Sequence, residues 1–147
     1  MQFLFLKQSH SGSDAKLCAF FALYHFKNGG ITREQYVAAA SQAYIDIGMD
    51  KDDAKEMALD GNDPETLVKF GLKAGNKGAV DSFEVLIVCD TTRGHFFAIR
   101  KQGDKWYSYD SWKYDEATLI GAADAFERAT PWASRHPALF GGKGPKA

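Results

Sequence analysis

The chain has 147 residues, 45% of them hydrophobic and 25% charged, and its net charge at pH 7 is -1. This length predicts one domain that buries enough apolar surface to fold without disulfides or metals. A net charge so close to zero offers no electrostatic footprint for nucleic acid or for an anionic membrane, so we expect neither as a partner. The two cysteines, Cys18 and Cys89, are too few for a disulfide framework, and we expect both to be reduced.

The N-terminal segment "MQFLFLKQSH" has an apolar run of four residues that could form a short strand. The run is too short for the core of a signal peptide or for a membrane span. We therefore expect a chain that is cytoplasmic as synthesised and is not exported by the Sec route, while delivery by a specialised secretion system stays open. At the other end, residues 141–147 are expected to form a disordered tail.

The segment "AKLCAFFALYHF" is predicted to form the first helix, because its large apolar residues follow helical spacing. Turn-forming residues precede it, with Ser13 and Asp14 as candidate N-caps. The "NGG" that follows it accepts the positive φ at which helices often end. Cys18 therefore falls in or near the first turns of this helix.

Three more helices are predicted before the middle of the chain. Thr32 and Gln35 have the spacing of a capping box, which begins a helix from about residue 33 to 47. Two shorter helices should follow, over about 50–61 and 63–75. Asp50 caps the first of them, and an Asp-Pro pair begins the second.

The second half of the chain is predicted to form an antiparallel sheet. "SFEVLIVC" is an apolar, β-branched run, and "HFFAIRK" and "KWYSYD" flank a "QGD" turn as a hairpin. A last helix is predicted over about 116–128. Helices followed by an antiparallel sheet indicate an α+β fold.

The hairpin predicts that His95 and Asp110 lie side by side. If residues 102–103 form the turn, or a four-residue loop has the same centre, His95 lies directly opposite Asp110 on one face of the sheet. A carboxylate bonded to an imidazole fixes its tautomer and stabilises its protonated form. A shift of one residue would separate the two side chains, and a strand-capping histidine with a turn aspartate is the alternative without chemistry.

Cys18 completes a candidate set of reacting groups. The positive end of a helix dipole stabilises a thiolate, and a neighbouring imidazole has the same effect. A nucleophilic cysteine, a histidine base and an orienting aspartate are what thiol catalysis requires. A metal site made by both cysteines, His25 and His95 is an alternative, but these residues lack the closely spaced ligand pairs of zinc sites. We expect no metal.

At these residues the sequence resembles the papain-like cysteine hydrolase superfamily. "LCAFFALYHFKNGG" is similar to its nucleophile helix, and "GHFFAIRKQGDKWYSYDS" to its histidine and aspartate strands, as in Josephin-type deubiquitinases, bacteriocin-processing peptidases and bacterial effector proteases or deamidases. The resemblance implies a papain-like α+β domain over residues 1–140, with the nucleophile helix packed on a C-terminal antiparallel sheet and a helical insertion at 31–80. It implies Cys18 as nucleophile, His95 as general base and then acid, and Asp110 as orienter.

The resemblance also concerns the oxyanion hole and the substrate groove. The family commonly has a glutamine about five or six residues before the cysteine, where this chain has Ser13 and Gly12. The nearest upstream glutamine, Gln8, is ten residues before Cys18, and it reaches the site only if the segment between them loops out. Among the aromatic residues near Asp110, we expect Trp112 to line a substrate groove.

The activity that the resemblance implies is hydrolysis of a protein or peptide through a thioester, as a peptidase, with no cofactor. The compact chain fits a bacterial effector or toxin that acts on another protein. A glutamine deamidase or an acyltransferase would use the same residues, and the sequence does not separate these reactions. An inactive module that binds a protein is the non-enzymatic alternative, favoured by the missing close glutamine and opposed by the intact cysteine, histidine and aspartate.

Overall fold

The computed structural model describes residues 3–60, 67, 70, 72–74, 84–90, 95–120 and 130–134. In these ranges a short 3-10 helix, Ser13–Lys16, precedes three α-helices: α1 (Cys18–Phe26), α2 (Arg33–Asp46) and α3 (Lys51–Asp60). Six strands follow: β1 (Leu72–Ala74), β2 (Val85–Asp90), β3 (His95–Gln102), β4 (Lys105–Tyr109), β5 (Thr118–Ile120) and β6 (Thr130–Ser134). The predicted α+β class is confirmed.

The strands form one sheet in the order β1-β6-β2-β3-β4-β5, and all neighbouring strands run antiparallel. Helix α1 packs on β3 and β2, near the middle of this sheet. Eight of its nine residues are buried. A helix that is apolar on all sides needs such surroundings, so α1 forms the centre of the core.

Helices α2 and α3, both predicted from the sequence, pack against each other. The capping box of α2 is present, because Thr32 Oγ1 accepts the Gln35 N–H at 3.1 Å and Gln35 Oε1 accepts the Thr32 N–H at 2.9 Å. Asp50 Oδ1 accepts the Asp52 N–H at 2.8 Å and so caps α3. Local hydrogen bonds thus fix the beginnings of both helices.

Two predictions for the N-terminal region are wrong. Residues 3–9 form no strand; instead the Leu6 N–H donates to His25 Nε2 at 2.9 Å and the Leu4 N–H donates to Asn28 Oδ1 at 2.9 Å. The side chains of His25 in α1 and of Asn28 just after it therefore accept backbone N–H groups that a neighbouring strand would otherwise pair. Neither Ser13 nor Asp14 is the N-cap of α1, because α1 begins at Cys18 and the residue at its N-cap is Leu17, which makes no side-chain cap bond.

Two predicted helices are wrong where their residues join the sheet, although residues 67 and 70 of the first have 3-10 helical geometry. The helix over 63–75 was expected to include residues 72–74, which form β1, and the helix over 116–128 was expected to include residues 118–120, which form β5. Strand β1 pairs with β6, and β5 pairs with the edge of β4. An open strand edge supplies hydrogen bonds that local helical preference does not outweigh in such short segments. Most other residues of these two predicted helices, and the predicted tail at 141–147, lie outside the described residues.

No helix in the described part of the chain has both the length and the apolar character that crossing a bilayer requires.

Candidate active site

The β3–β4 hairpin forms as predicted, but its register differs by two residues. The turn is made by residues 103–104, one residue later than expected, and Gly103 there has a φ of 69°. If the observed pairing is continued past Tyr109, Asp110 falls opposite Phe97 and not opposite His95. Side chains alternate between the two faces of a strand, so a shift of two residues keeps His95 and Asp110 on the same face. The two are diagonal neighbours.

His95 and Asp110 are hydrogen-bonded at the end of this hairpin. The distance from His95 Nε2 to Asp110 Oδ1 is 2.9 Å, and the two side chains are 14% and 9% exposed. The Asp110 carbonyl accepts the N–H groups of Lys113 and Tyr114, at 3.2 Å and 2.9 Å, which fixes the turn after β4. The hydrogen bond between His95 and Asp110 holds the imidazole in one orientation and directs the Nε2 proton at the carboxylate.

Cys18 is the first residue of α1, is 7% exposed and is hydrogen-bonded to His95. Asp110 occupies Nε2 of the imidazole, so Nδ1 is the ring nitrogen left for the thiol. At this end of the helix the partial positive charge of the backbone favours an anion. The three residues predicted from the sequence are therefore joined in the order cysteine, histidine, aspartate.

The pKa of His95 departs strongly from the ordinary value of 6.5. Burial lowers this pKa, but hydrogen bonds to Asp110 and Cys18, together with their negative charges, outweigh burial and raise it to about 9. The imidazole is therefore protonated at neutral pH, with Asp110 on one side and Cys18 on the other.

A buried arginine sets the position of α1 relative to β3. Arg100 is 7% exposed, and its guanidinium donates to the carbonyl oxygens of His25 and Phe26 at 3.0 Å and 3.2 Å. These two carbonyls lie at the C-terminal end of α1. The first residue of α1, Cys18, contacts His95 at the start of β3. The two elements thus run in the same direction and are joined at two points, which holds Cys18 against His95. Sequence reasoning did not find Arg100; the signal was a charged residue inside the apolar strand "HFFAIR".

Gln8 is brought to the edge of the site. It is 2% exposed, its backbone N–H donates to the Ser111 carbonyl at 3.3 Å, and its Nε2 donates to the Asp14 carbonyl at 2.8 Å. Ser111 follows Asp110, and Asp14 lies in the 3-10 turn before Cys18. The intervening segment loops out as the prediction for Gln8 required, and the amide nitrogen has a second hydrogen to donate.

The turn before Cys18 is also tied to α2. Both carboxylate oxygens of Asp14 accept from Arg33, at 2.8 Å each, and the Arg33 guanidinium lies 5.2 Å from the centre of the Phe20 ring. A planar guanidinium and a carboxylate bound in this bidentate way have a fixed geometry. The pair therefore holds the segment that leads into α1. Sequence reasoning missed it, because it treated Asp14 as a helix cap.

Trp112 lies two residues beyond Asp110 and packs against His10. Their ring centres are 3.9 Å apart, and the His10 Nε2 donates to the Trp112 carbonyl at 2.6 Å. The indole is partly exposed. The structure thus places Trp112 in the turn that follows Asp110, and its predicted role in a substrate groove stays a prediction.

His25 belongs to the core and not to the site. It is 2% exposed, and burial, the largest cause, lowers its pKa to about 4. Its Nε2 accepts the Leu6 N–H, which only a neutral ring can do. In the described part of the chain, histidine, cysteine and acidic side chains form no group that could hold a metal ion.

The sequence matches no known protein-family model, and no curated protein matches it at a significant level.

Proposed function

We propose that the protein is a papain-like cysteine hydrolase with Cys18 as nucleophile, His95 as acid and base, and Asp110 as orienter. The observation that carries the proposal is the largely buried imidazole bonded on one side to Asp110 and on the other to the cysteine at the N-terminus of α1. Burial alone would leave such a histidine neutral. The raised pKa of His95 is the feature that a thiolate–imidazolium pair requires.

The first half of the reaction forms a thioester. The Cys18 thiolate attacks the carbonyl carbon of a peptide or amide bond, and the carbonyl oxygen becomes an oxyanion. The His95 imidazolium then gives its Nδ1 proton to the departing nitrogen as the carbon–nitrogen bond breaks. An amine, or ammonia from a side-chain amide, leaves, and the acyl group stays on Cys18.

The second half of the reaction releases the acid. Neutral His95 takes a proton from water, the resulting hydroxide attacks the thioester carbon, and the carbon–sulfur bond breaks. Cys18 returns as a thiolate and His95 as an imidazolium. Asp110 keeps the ring oriented through both halves and stabilises its positive charge.

Stabilisation of the oxyanion is assigned to Gln8 and the first turn of α1. The Gln8 backbone N–H donates to the Ser111 carbonyl, and one of the two hydrogens of its side-chain amide is used by the Asp14 carbonyl in the turn before Cys18. Backbone N–H groups at the start of a helix are donors for a negative charge. This supports Gln8 in the role that the family gives to a glutamine closer to the cysteine.

The test of the proposal is the rate at which iodoacetamide alkylates Cys18 across about pH 5 to 10, read by mass spectrometry beside a small free thiol. At pH 6.5 we expect Cys18 to react at least about tenfold faster than the reference thiol, because a free thiol is only about 1% ionised there. His95→Gln should remove this advantage and leave the far-UV circular dichroism unchanged. A Cys18 that reacts no faster than the reference in the wild-type protein would refute the proposal.

A second assay separates the reactions that share this chemistry. The protein is incubated with a mixture of unmodified peptides, and the products are read by mass spectrometry, with Cys18→Ser as the control. Shorter fragments indicate a peptidase, and release of ammonia with conversion of glutamine to glutamate indicates a deamidase. An activated Cys18 without either product would favour transfer of an acyl group to an acceptor other than water.

A further inference from the structure

A cavity of about 700 Å³ opens between α2 and α3. The large apolar side chains of its wall are Leu17 before α1, Val37 and Ile45 on α2, and Leu59 on α3. Leu59 is 38% exposed, so its side chain can be reached from solvent. The volume is in the range of sites that accept small ligands or several side chains.

The cavity lies next to the nucleophile but is separate from the reacting groups. Leu17 contributes to its wall, and Cys18 follows directly, about 3.8 Å away from Cα to Cα. Cys18, His95 and Asp110 are not part of the wall. A group bound in the cavity would therefore be close to a substrate on Cys18 without being the bond that is broken.

The charged residues around the cavity favour a polypeptide over a uniformly charged ligand. Glu34 and Asp52 are acidic, while Lys51, Lys55 and Arg33 are basic, and the charge of Arg33 is paired with Asp14, so α2 and α3 carry both signs in similar number. A phosphate, a nucleic acid or an anionic lipid surface would meet repulsion from the two carboxylates. A peptide with large apolar side chains has a backbone that is uncharged and carries both donors and acceptors, so the carboxylates do not repel it.

We propose that this cavity is the substrate subsite for apolar side chains next to the bond attacked by Cys18. The inference rests on the proposed function, since it assigns the occupant as a segment of the polypeptide substrate. Apolar side chains bound between α2 and α3 bring the neighbouring carbonyl carbon to the thiolate. The helical hairpin thereby selects the substrate, while α1 and the sheet carry out the reaction.

Two peptide-like alkylating reagents test this subsite on the intact protein. The first is N-iodoacetyl-leucyl-leucinamide, the second is N-iodoacetyl-glycyl-glycinamide, and iodoacetamide reports the reactivity of the thiol itself. Each rate at Cys18 is divided by the rate with a small free thiol. We expect the leucine reagent to react about tenfold faster than the glycine reagent, because two apolar side chains leave water.

A matched pair of variants on α3 locates the effect. Leu59→Asp places a charge in the cavity wall and should reduce the preference for the leucine reagent to about twofold or less. Met57→Asp changes a residue of the same helix that is 42% exposed and does not belong to the wall, so it should keep the preference. The rate with iodoacetamide should stay the same in both variants.

The outcomes distinguish the subsite from the proposed function. A wild-type Cys18 without enhanced reactivity toward iodoacetamide would end the hydrolase proposal. An activated Cys18 that shows no preference between the reagents, or a preference that survives Leu59→Asp, would overturn the subsite alone. An equal loss in Leu59→Asp and Met57→Asp, or a wild-type dimer that only Leu59→Asp dissociates, would also overturn it, since the cause would then be helix stability or a contact between two copies.

Discussion

The buried His25 and the largely buried His95 differ in charge at neutral pH, since the first is neutral and the second is protonated. His25 is surrounded by aromatic rings, with Phe5 and Tyr109 at centre-to-centre distances of 5.1 Å and 5.7 Å, and burial lowers its pKa to about 4. Burial also lowers the pKa of His95, but its bonds to Asp110 and Cys18 prevail and raise the value to about 9.

The difference teaches that the partner, more than the depth of burial, decides what a buried histidine does. Burial is the largest single cause for both residues and acts in the same direction. His25 accepts a backbone N–H from Leu6, a bond that only the neutral ring makes, while His95 donates to a carboxylate. One ring is therefore a fixed part of the core, and the other can give and take a proton.

The largest expected effect concerns Arg100, which joins α1, where His25 lies, to β3, where His95 lies. Arg100→Leu removes two charged hydrogen bonds to the carbonyls at the end of α1, although the His25 carbonyl keeps the Asn28 N–H at 3.3 Å, and we expect the free energy of unfolding to fall by about 3–5 kcal/mol. Urea denaturation measures it, with Lys105→Leu, an exposed change on the next strand, as the control. The charge of Arg100 lowers the pKa of His25, so that pKa should also rise in this variant. Equal losses in the two variants would contradict the role of Arg100.

At alkaline pH the contribution of His95 should disappear. Its folded pKa of about 9 is above the ordinary value of 6.5, so its stabilisation is complete below pH 6.5 and is lost as the pH rises through 9. We expect a loss of about 2–3 kcal/mol across this window, measured by urea denaturation at each pH. His95→Gln should lack this loss, and Asp110→Asn should show a smaller one. A wild-type curve that runs parallel to that of His95→Gln would mean that His95 is not a buried cation.

At acidic pH the loss should come from His25 instead. Its folded pKa of about 4 is below 6.5, so its stabilisation is complete above pH 6.5 and is lost as the pH falls through 4. Between pH 6.5 and about 4.5, before most carboxylates titrate, we expect the wild-type protein to lose about 2 kcal/mol more than His25→Gln. The glutamine can still accept the Leu6 N–H through its amide oxygen. The same acid sensitivity in His25→Gln would assign the loss to other groups.

The parts of the fold that depend on neighbouring residues in the chain were predictable from the sequence. Helix α2 was predicted to within one residue, since its capping box lies in a few adjacent positions. The hairpin was also predicted, but "QGD" can place its glycine first or second in the turn, and this produced the error in register. Strands β1 and β5 form only because β6 and β4 offer them an edge, which no local pattern shows.

The candidate site was predictable for a different reason. Cysteine, histidine and aspartate are few enough and chemically distinct enough for their order along the chain to suggest a reaction. The residues that position them are ordinary: Arg100 is one of many basic residues, and Asp14 resembled a cap. The opposite pKa shifts of the two histidines depend on which atoms lie within hydrogen-bond distance, and the sequence does not contain that information.

The smallest expected effect concerns the Asp14–Arg33 pair, which lies at the Cys18 end of α1 and not at the His25 end. Its side chains are 22% and 44% exposed, so a double-mutant cycle with Asp14→Asn and Arg33→Met should give a coupling of only about 0.5–1 kcal/mol, reduced further by salt. The cycle is needed because Arg33 also covers two phenylalanine rings, and its loss alone would mix both contributions.

Asp14→Asn should affect the end of α1 where Cys18 meets His95 and should not affect the end where His25 lies. Asp14→Asn loosens the turn before Cys18, so alkylation of Cys18 at pH 6.5 should slow by about threefold, while the pKa of His25, followed by NMR, should not change. An unchanged alkylation rate with a coupling of the expected size would show that the pair stabilises the fold without positioning the thiol. A shift in the pKa of His25 would show that the two ends of α1 respond together, and the contrast between the two histidines would then belong to the whole helix and not to their separate partners.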